Sequence, residues 1–283
     1  MKKFIFNLLY FGIILLTINT VFYGIAYHAY YKSYEKNDLS FQSYLLADSH
    51  GTALKNFTEE YGVYNFSAAS DSYFDSLIKV KYLVKNTKVK RILLSVDDHT
   101  LSPYRENINN LQRSSFYIVQ QDYDTIFSGV VNSFKRFMVL LNPSIREIIR
   151  SYVQSTLIKN PKAKEWALLS DSEKTNLAVE RFNYQFNFPI PSTALTSSLI
   201  EIINICKENN IELIGIQFPL THVYFQTIKN KSFHADEIFR KNNLKVYDFR
   251  EFYNTQNTYF LNQDHLNDSG SRKFIKSLFS ELN

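Results

Sequence analysis

Between Lys3 and the first polar, aromatic stretch after Ala26, the chain carries one long apolar segment: Phe4 to Ala26 holds no charged residue and is preceded by Lys2 and Lys3. At ~1.5 Å per helical residue it is long enough to cross ~30 Å of hydrocarbon. Gly24-Ile25-Ala26 also fits the small-x-small rule for signal cleavage. The apolar run, however, exceeds the usual ~7–15 residues of a signal core, which favours an uncleaved anchor over secretion after cleavage near Ala26. The basic start predicts a cytoplasmic N-terminus and a main domain that is periplasmic or extracellular. Residues Tyr27 to Gln42 then read as a stalk.

From Tyr44 the pattern changes to short apolar runs alternating with helical spacing. Tyr44 to Ala47 predicts a buried strand, Thr52 to Tyr61 a helix, and Val63 to Phe66 a second strand. Apolar residues Tyr73, Phe74, Leu77, Ile78 and Val84 share a helical face between Asp71 and Asn86, with Ser70 as cap, and Arg91 to Val96 predicts a third strand. Between about 103 and 191 the alternation stops, and mixed aromatic segments such as Ile145 to Leu157 read as a helical insertion. It resumes with a helix over Thr193 to Asn209, strands at Ile211 to Phe218 and Lys245 to Asp248, and a last helix whose Phe274, Ile275, Leu278, Phe279 and Leu282 share one face. Strand and helix in this alternation predict an α/β three-layer sandwich with a five-stranded parallel sheet. The expected organisation is an anchor over 1–26, a stalk over 27–42, and one α/β domain over 43–283 interrupted by the insertion.

Composition changes this picture little. A length of 283 residues can bury one sizeable core. Twenty Tyr and twenty-four Phe against seven Gly and six Pro argue for a packed fold over a loop-rich or disordered one. The net charge of +5 comes from scattered lysines, densest from Lys79 to Arg91, and the aromatic spacing of RNA-binding motifs is missing, so nucleic acid is not an expected partner. The single cysteine, Cys206, excludes an internal disulfide and leaves the redox compartment open.

The candidate chemistry lies in two segments about two hundred residues apart, Leu45-Leu46-Ala47-Asp48-Ser49-His50-Gly51 and Asp264-His265-Leu266-Asn267-Asp268-Ser269-Gly270. In a parallel sheet, ligands bind outside the carboxyl ends of the strands. Ser49 follows the first strand, Asp97 and Asp98 the third, and His265 precedes the last helix, so all would reach one edge. A serine hydroxyl becomes a nucleophile when an oriented base takes its proton. Asp48-Ser49 alone equally suits a helix cap, and a lone histidine in a polar loop is commonly solvated; the pairing makes Ser49 and His265 a candidate nucleophile and base.

On these residues the chain resembles the SGNH, or GDSL-like, hydrolase superfamily, and more closely its membrane-anchored cell-envelope branch of alginate O-acetylation and teichoic-acid D-alanylation proteins. Ala47-Asp48-Ser49-His50 is similar to the family's first block and Tyr259 to Gly270 to its last. The resemblance implies a flavodoxin-like fold from about Ser43 onward and a serine acyl-transfer chemistry without cofactor. Three departures stand out. The position three residues before the histidine, where the family carries its triad carboxylate, holds Asn262; Asp264 is adjacent to His265, and neighbours in a turn usually point apart, while Asp248 at the last strand is a further acid. The second block lacks its glycine, leaving the Ala68 and Ala69 turn to supply backbone N–H groups to an oxyanion. The third block shows Asp97-Asp98-His99 in place of an asparagine; an ionised Asp98 cannot donate, so His99 would replace it.

His50, Asp97, Asp98, His99, Asp264 and His265 also contain metal-ligand types, but no spacing matches a helical His-x-x-x-His signature, and no metal is expected. His222, Tyr224, His234 and Trp166 have no motif context, and the aromatic clusters Tyr117 to Phe137 and Phe182 to Phe188 read as core of the insertion, with a sugar platform as the functional alternative. The expected function is an extracytoplasmic serine O-acyl esterase or O-acyltransferase acting on acyl, most simply acetyl, groups of a cell-envelope polysaccharide. Its expected partners are the membrane, an acylated glycan and a membrane acyl-donor protein. The alternative is a glycan-binding or assembly protein that keeps the fold and has lost the triad.

Overall fold

The computed structural model describes residues 1–35, 37–118, 126–142, 149–150, 152–154, 164–229 and 231–282. They fall into two compact units: 1–37 with 112–162, and 38–111 with 163–283. The helical spacing from Ile145 to Leu157 lies largely outside the described residues, as does part of the Tyr117 to Phe137 cluster.

The second unit contains the sheet. Strands β1 (Ser43–Leu46), β2 (Val63–Asn65), β3 (Arg91–Ser95), β4 (Glu212–Gln217) and β5 (Val246–Asp248) are all parallel, in the order β2-β1-β3-β4-β5. This is the α/β three-layer, flavodoxin-like arrangement. The three central strands β1, β3 and β4 are covered on both faces, which is why they are apolar runs without polar alternation, whereas the edge strands β2 and β5 are only partly buried. Leu45, Leu93, Ile214 and Ile216 form one core with Phe274, Ile275, Leu278 and Phe279 of the C-terminal helix Asp268–Leu282. Leu46 and Leu94, one residue on, face Tyr73 and Ser76 of the helix Tyr73–Asn86, which packs against Thr193–Glu208.

Two local elements differ from their sequence reading. The helix expected over Thr52 to Tyr61 is a single turn, Ser49–Thr52, followed by the 3-10 helix Phe57–Tyr61. Lys55 takes a positive φ of 51° between them, and Asn65 Nδ2 donates to the carbonyls of Gly51 and Lys55, replacing the hydrogen bonds a continuous helix would make. The helix expected from Asp71 is capped by Ser72 rather than Ser70: Asp75 accepts from the Ser72 N–H in a capping box, while Ser70 sits at φ 72°.

The stretch 103–191 is divided between the units. Its ends belong with the sheet: Trp166 is in the core beside the C-terminal helix, and Asp171–Phe186 is a helix capped by Ser170. Its middle groups with the N-terminus. In that first unit, the helix Lys2–Ala26 is long and apolar enough to cross a membrane or to act as a signal sequence. The expected stalk is largely helical, continuing as a π-turn at Tyr27–Tyr31 and a helix at Lys32–Glu35.

Candidate active site

Ser49 stands where β1 ends and the chain turns. Asp48 caps the short helix, its carboxylate accepting from the His50 N–H at 3.0 Å, and Gly51 leaves the space that lets this turn pack on Ser67 and Ala47. His265 comes from a tight loop before the last helix. Phe260 and Leu266 form an antiparallel bridge, Leu261 N–H donates to the His265 carbonyl at 2.8 Å, and Asn267 N–H donates to the Tyr259 carbonyl at 2.9 Å. Thr221, just beyond β4, donates through its hydroxyl to the Gln263 carbonyl at 2.9 Å and ties the loop to the sheet edge.

This brings His265 Nε2 to 2.7 Å from Ser49 Oγ. On the other side of the ring, Nδ1 lies 2.9 Å from Asn262 Oδ1 and 2.8 Å from Asp264 Oδ1. The amide oxygen meets hydrogen-bond geometry; the carboxylate is equally close but off the N–H direction, so it acts through charge. Asn262 Oδ1 also accepts from the backbone N–H of His265 at 2.9 Å, which fixes the turn that folds Asp264 back under the ring. The expectation that neighbours in a turn point apart is therefore corrected: Asp264 is 1% exposed and beside the imidazole. Its second oxygen accepts from Arg181 Nε at 2.8 Å. Burial would raise the Asp264 pKa, but His265, His50 and Arg181 hold it well below the usual carboxylate range. Asp248 is taken by Arg250, at 2.7 Å, and plays no part here.

Beneath this pair lies a buried set the sequence reading did not assign. His50 Nδ1 is 2.9 Å from Asp97 Oδ2, His50 Nε2 is 3.7 Å from Asp264 Oδ2, and its ring meets His265 edge-on at 5.0 Å between centroids. Desolvation would lower the His50 pKa; the carboxylates of Asp97 and Asp48, with Asp264, outweigh it and push it well above the ordinary value. Asp97 is anchored by the Ser95 hydroxyl at 2.7 Å and the Phe218 N–H at 2.7 Å, which links the ends of β3 and β4. His50 had a signal, its place beside Ser49. Arg181 had none, because it arrives from a helix about eighty residues away.

The expected oxyanion donors are placed differently. Asp98 faces Arg250, whose Nη1 is 3.0 Å from both carboxylate oxygens. His99 Nε2 is spent on Asp48 Oδ2 at 3.0 Å, and burial holds the His99 pKa below its ordinary value. Ala68 N–H donates to the Ala47 carbonyl at 3.2 Å, extending the β1–β2 ladder. Among the described residues, the N–H groups of Ser49 and Ala69 donate to no protein acceptor, and Ala69 is exposed. A cleft of about 530 Å³ opens beside Ser49 and His265, lined by Thr52, Ala53, Leu261 and Asn267, with Lys55 and Asp268 paired at 2.5 Å.

Two groups, His50-Asp264-His265 and Asp48-His50-Asp97, have ligand-type atoms within 4.8 Å of one another. A cation in either would have to displace hydrogen bonds already made, His265 to Ser49 and Asn262 in the first, His50 to Asp97 in the second. His222 opens a short helix, Tyr224 is buried against Gln185, and His234 sits on the surface 3.3 Å from Glu237, so none of the three joins the site.

No protein-family model matches the chain, and no curated protein matches it. Among solved structures it is similar to a protein of Bacteroides fragilis provisionally described as an acylhydrolase, over 89% of this chain and 95% of that one, with 9% identity and a TM-score of 0.41.

Proposed function

We propose that this protein is a serine O-acyl esterase or O-acyltransferase in which Ser49 is the nucleophile, His265 the base, and Asn262 with Asp264 the groups that orient and charge-stabilise the imidazole. The observation that supports this best is the 2.7 Å contact of Ser49 Oγ with His265 Nε2, backed on Nδ1 by an oriented acceptor and a buried carboxylate. Ser49 Oγ attacks the acyl carbon as its proton passes to His265 Nε2, and the electron pair of the C=O bond moves to oxygen. The N–H groups of Ser49 and Ala69 are the donors proposed for that oxyanion. When the tetrahedral centre collapses, the ester C–O bond breaks and His265 returns the proton to the leaving alcohol, giving an acyl-enzyme. A second hydroxyl, from water or from a sugar, then repeats the sequence in reverse; hydrolysis and transfer differ only in that acceptor.

The cleft beside Ser49 is open; its wall is mostly apolar, which suits a short acyl group, while Lys55, Asn267 and Asp268 bring ammonium, amide and carboxylate groups that can bind the hydroxyls of a sugar carrying it. An apolar N-terminal helix fits work at the cell envelope, on a glycan that loses its acyl group to water or gains one from a membrane acyl-donor protein. The test is labelling with a fluorophosphonate probe together with turnover of an activated acetyl ester. Ser49 is expected to label, and Ser49→Ala and His265→Ala should each lower kcat by about 10³-fold or more, with the double variant losing hardly more than either alone. Near-normal turnover by Ser49→Ala would overturn the reading and leave a binding role for the cleft.

A further inference from the structure

The N-terminal helix contains a polar residue that its own segment cannot satisfy. From Met1 to Thr20 every side chain is exposed except Asn19, which is fully buried. Thr17 and Thr20 donate to the carbonyls of Ile13 and Leu16, one turn back in the same helix, as hydroxyls must in a medium without water. Asn19 turns instead to the chain more than a hundred residues away: Nδ2 donates to the Phe137 carbonyl at 2.9 Å, and Oδ1 accepts from the Leu140 N–H at 3.3 Å. Phe137 packs on Tyr23 with 5.3 Å between ring centroids, and Val139 is buried in a cluster with Ala26, Tyr31 and Ile149. A cleaved leader would not be built into the fold by these contacts.

The segment that Asn19 holds ends the helix Ile126–Phe137, which is amphipathic. Ile126, Phe127, Val130 and Phe134 fall on one face by helical spacing, and all are more than half exposed; Ile126 reaches 78% and Phe127 76%. Leu141, just beyond, is 72% exposed. Such a face is stable in water only if something covers it. Its depth identifies the cover. Asn19 lies seven residues before Ala26, about 10 Å along the axis at ~1.5 Å per residue. Helices that lie in a bilayer interface rest ~5–10 Å into the headgroup and acyl boundary.

We infer that the helix Ile126–Phe137 is a second membrane element, an interfacial helix whose Ile126, Phe127, Val130 and Phe134 insert into the lipid leaflet crossed by the C-terminal part of the span. This rests on the reading that Lys2–Ala26 is a retained span. The tyrosines at 23, 27 and 30 occupy the end of that span, the place where amphipathic rings gather at a membrane surface, and Arg113 stacks over Tyr30 at 4.1 Å from its ring centre. The unit formed by 1–37 and 112–162 is thus a two-point membrane mount rather than a single-helix tether.

The full chain in phosphatidylcholine–phosphatidylglycerol vesicles tests this with a bimane fluorophore placed on single cysteines at Val130, Phe134, Leu9 and Lys88. The native Cys206 is buried, with its thiol pushed up to about 12, and stays unlabelled. Nitroxide on lipid carbon 5 should quench Val130→Cys and Phe134→Cys at least twofold more than Lys88→Cys, and iodide should reach them several-fold less. Leu9→Cys should be quenched by nitroxide on carbon 12. If Leu9→Cys is buried in lipid while the two helix labels are open to iodide, or are shielded from both quenchers by a protein partner or a second copy, the interfacial helix is overturned and the span stands. If Leu9→Cys is itself open to iodide, the span reading fails and the inference fails with it.

Discussion

Asp264 is the residue whose position most alters the chemistry. An asparagine three residues before the base can orient an imidazole through its carbonyl oxygen but offers no charge to the imidazolium. The carboxylate 2.8 Å from Nδ1 supplies that charge from a position that spacing argues against. The two residues therefore divide one task. Asp264→Asn is expected to keep the Ser49–His265 contact and lower kcat by about 10²-fold or more, since the imidazolium loses its counter-charge. Asn262→Asp should change kcat by less than about threefold, because the charge is already present, and Asn262→Ala should weaken both activity and the loop it braces. Steady-state kinetics on an acetyl ester separates these outcomes. A large gain for Asn262→Asp with a neutral Asp264→Asn would reverse the assignment.

At the scale of elements, the site depends on how closely the His265 loop sits on the start of the C-terminal helix. Asn267 Nδ2 donates to the Thr258 carbonyl at 2.7 Å, its Oδ1 accepts from Gly270 N–H at 3.0 Å, and Trp166 Nε1 donates to Asn257 at 3.1 Å. A Cβ on Gly270 would run into the Tyr259 backbone carbonyl and stand 2.9 Å from Tyr259 Cβ, so the loop would have to move. Gly270→Ala should destabilise the sheet-bearing unit by about 1–3 kcal/mol and lower kcat by at least tenfold, as the imidazole is displaced by a fraction of an ångström. Gly51→Ala presents a matching test on the serine side, where the new Cβ would lie 2.7 Å from Ala47 Cβ. Thermal unfolding followed through Trp166, the one tryptophan and a core residue, gives the stability of this unit alone.

Over the whole molecule, the buried histidines set how stability responds to pH. Against desolvation, Asp97, Asp48 and Asp264 raise His50, while His99 and His265 also face it. Its folded value stands above the ordinary ~6.5, so its contribution is complete below that pH and is lost as pH rises through the raised value. Asp264 and Asp48 are depressed; their contributions are present above ~3.9 and are lost in acid. His99 opposes His50 below ~6.5, where the unfolded chain takes up a proton that the buried ring refuses. Stability should therefore decline as pH rises above ~6.5 toward the raised His50 value, with a slope of up to ~1.4 kcal/mol per unit, and His50→Gln should flatten that slope while lowering stability at pH 7. Urea unfolding at several pH values reads both. An unchanged slope in His50→Gln would mean that another group carries the proton.

What the sequence determined by itself was whatever depends on local periodicity. Continuous apolar runs at Tyr44, Arg91 and Ile211 marked strands buried on both faces, and their alternation with helical spacing led to the parallel sheet. An uncharged stretch from Phe4 marked a helix fit for a membrane. The Ser49 and His265 segments were visible because strand ends in a parallel sheet share one edge. What tertiary structure decided was everything fixed by distant partners. Asp264 turns inward because Arg181 and His50 draw its carboxylate, and no adjacent residue announces either. His99 and Asp98 are turned to Asp48 and Arg250 because a buried carboxylate needs hydrogen-bond donors or a counter-charge, a demand that outweighs any role suggested by position in a motif. The stretch 103–191 read as one insertion because helical spacing records which face is apolar but not what it faces. Trp166 found the sheet's core, while the backbone at Phe137 and Leu140 found Asn19, and the sequence carries no trace of that hydrogen bonding because a backbone carbonyl or N–H is the same whichever side chain it carries.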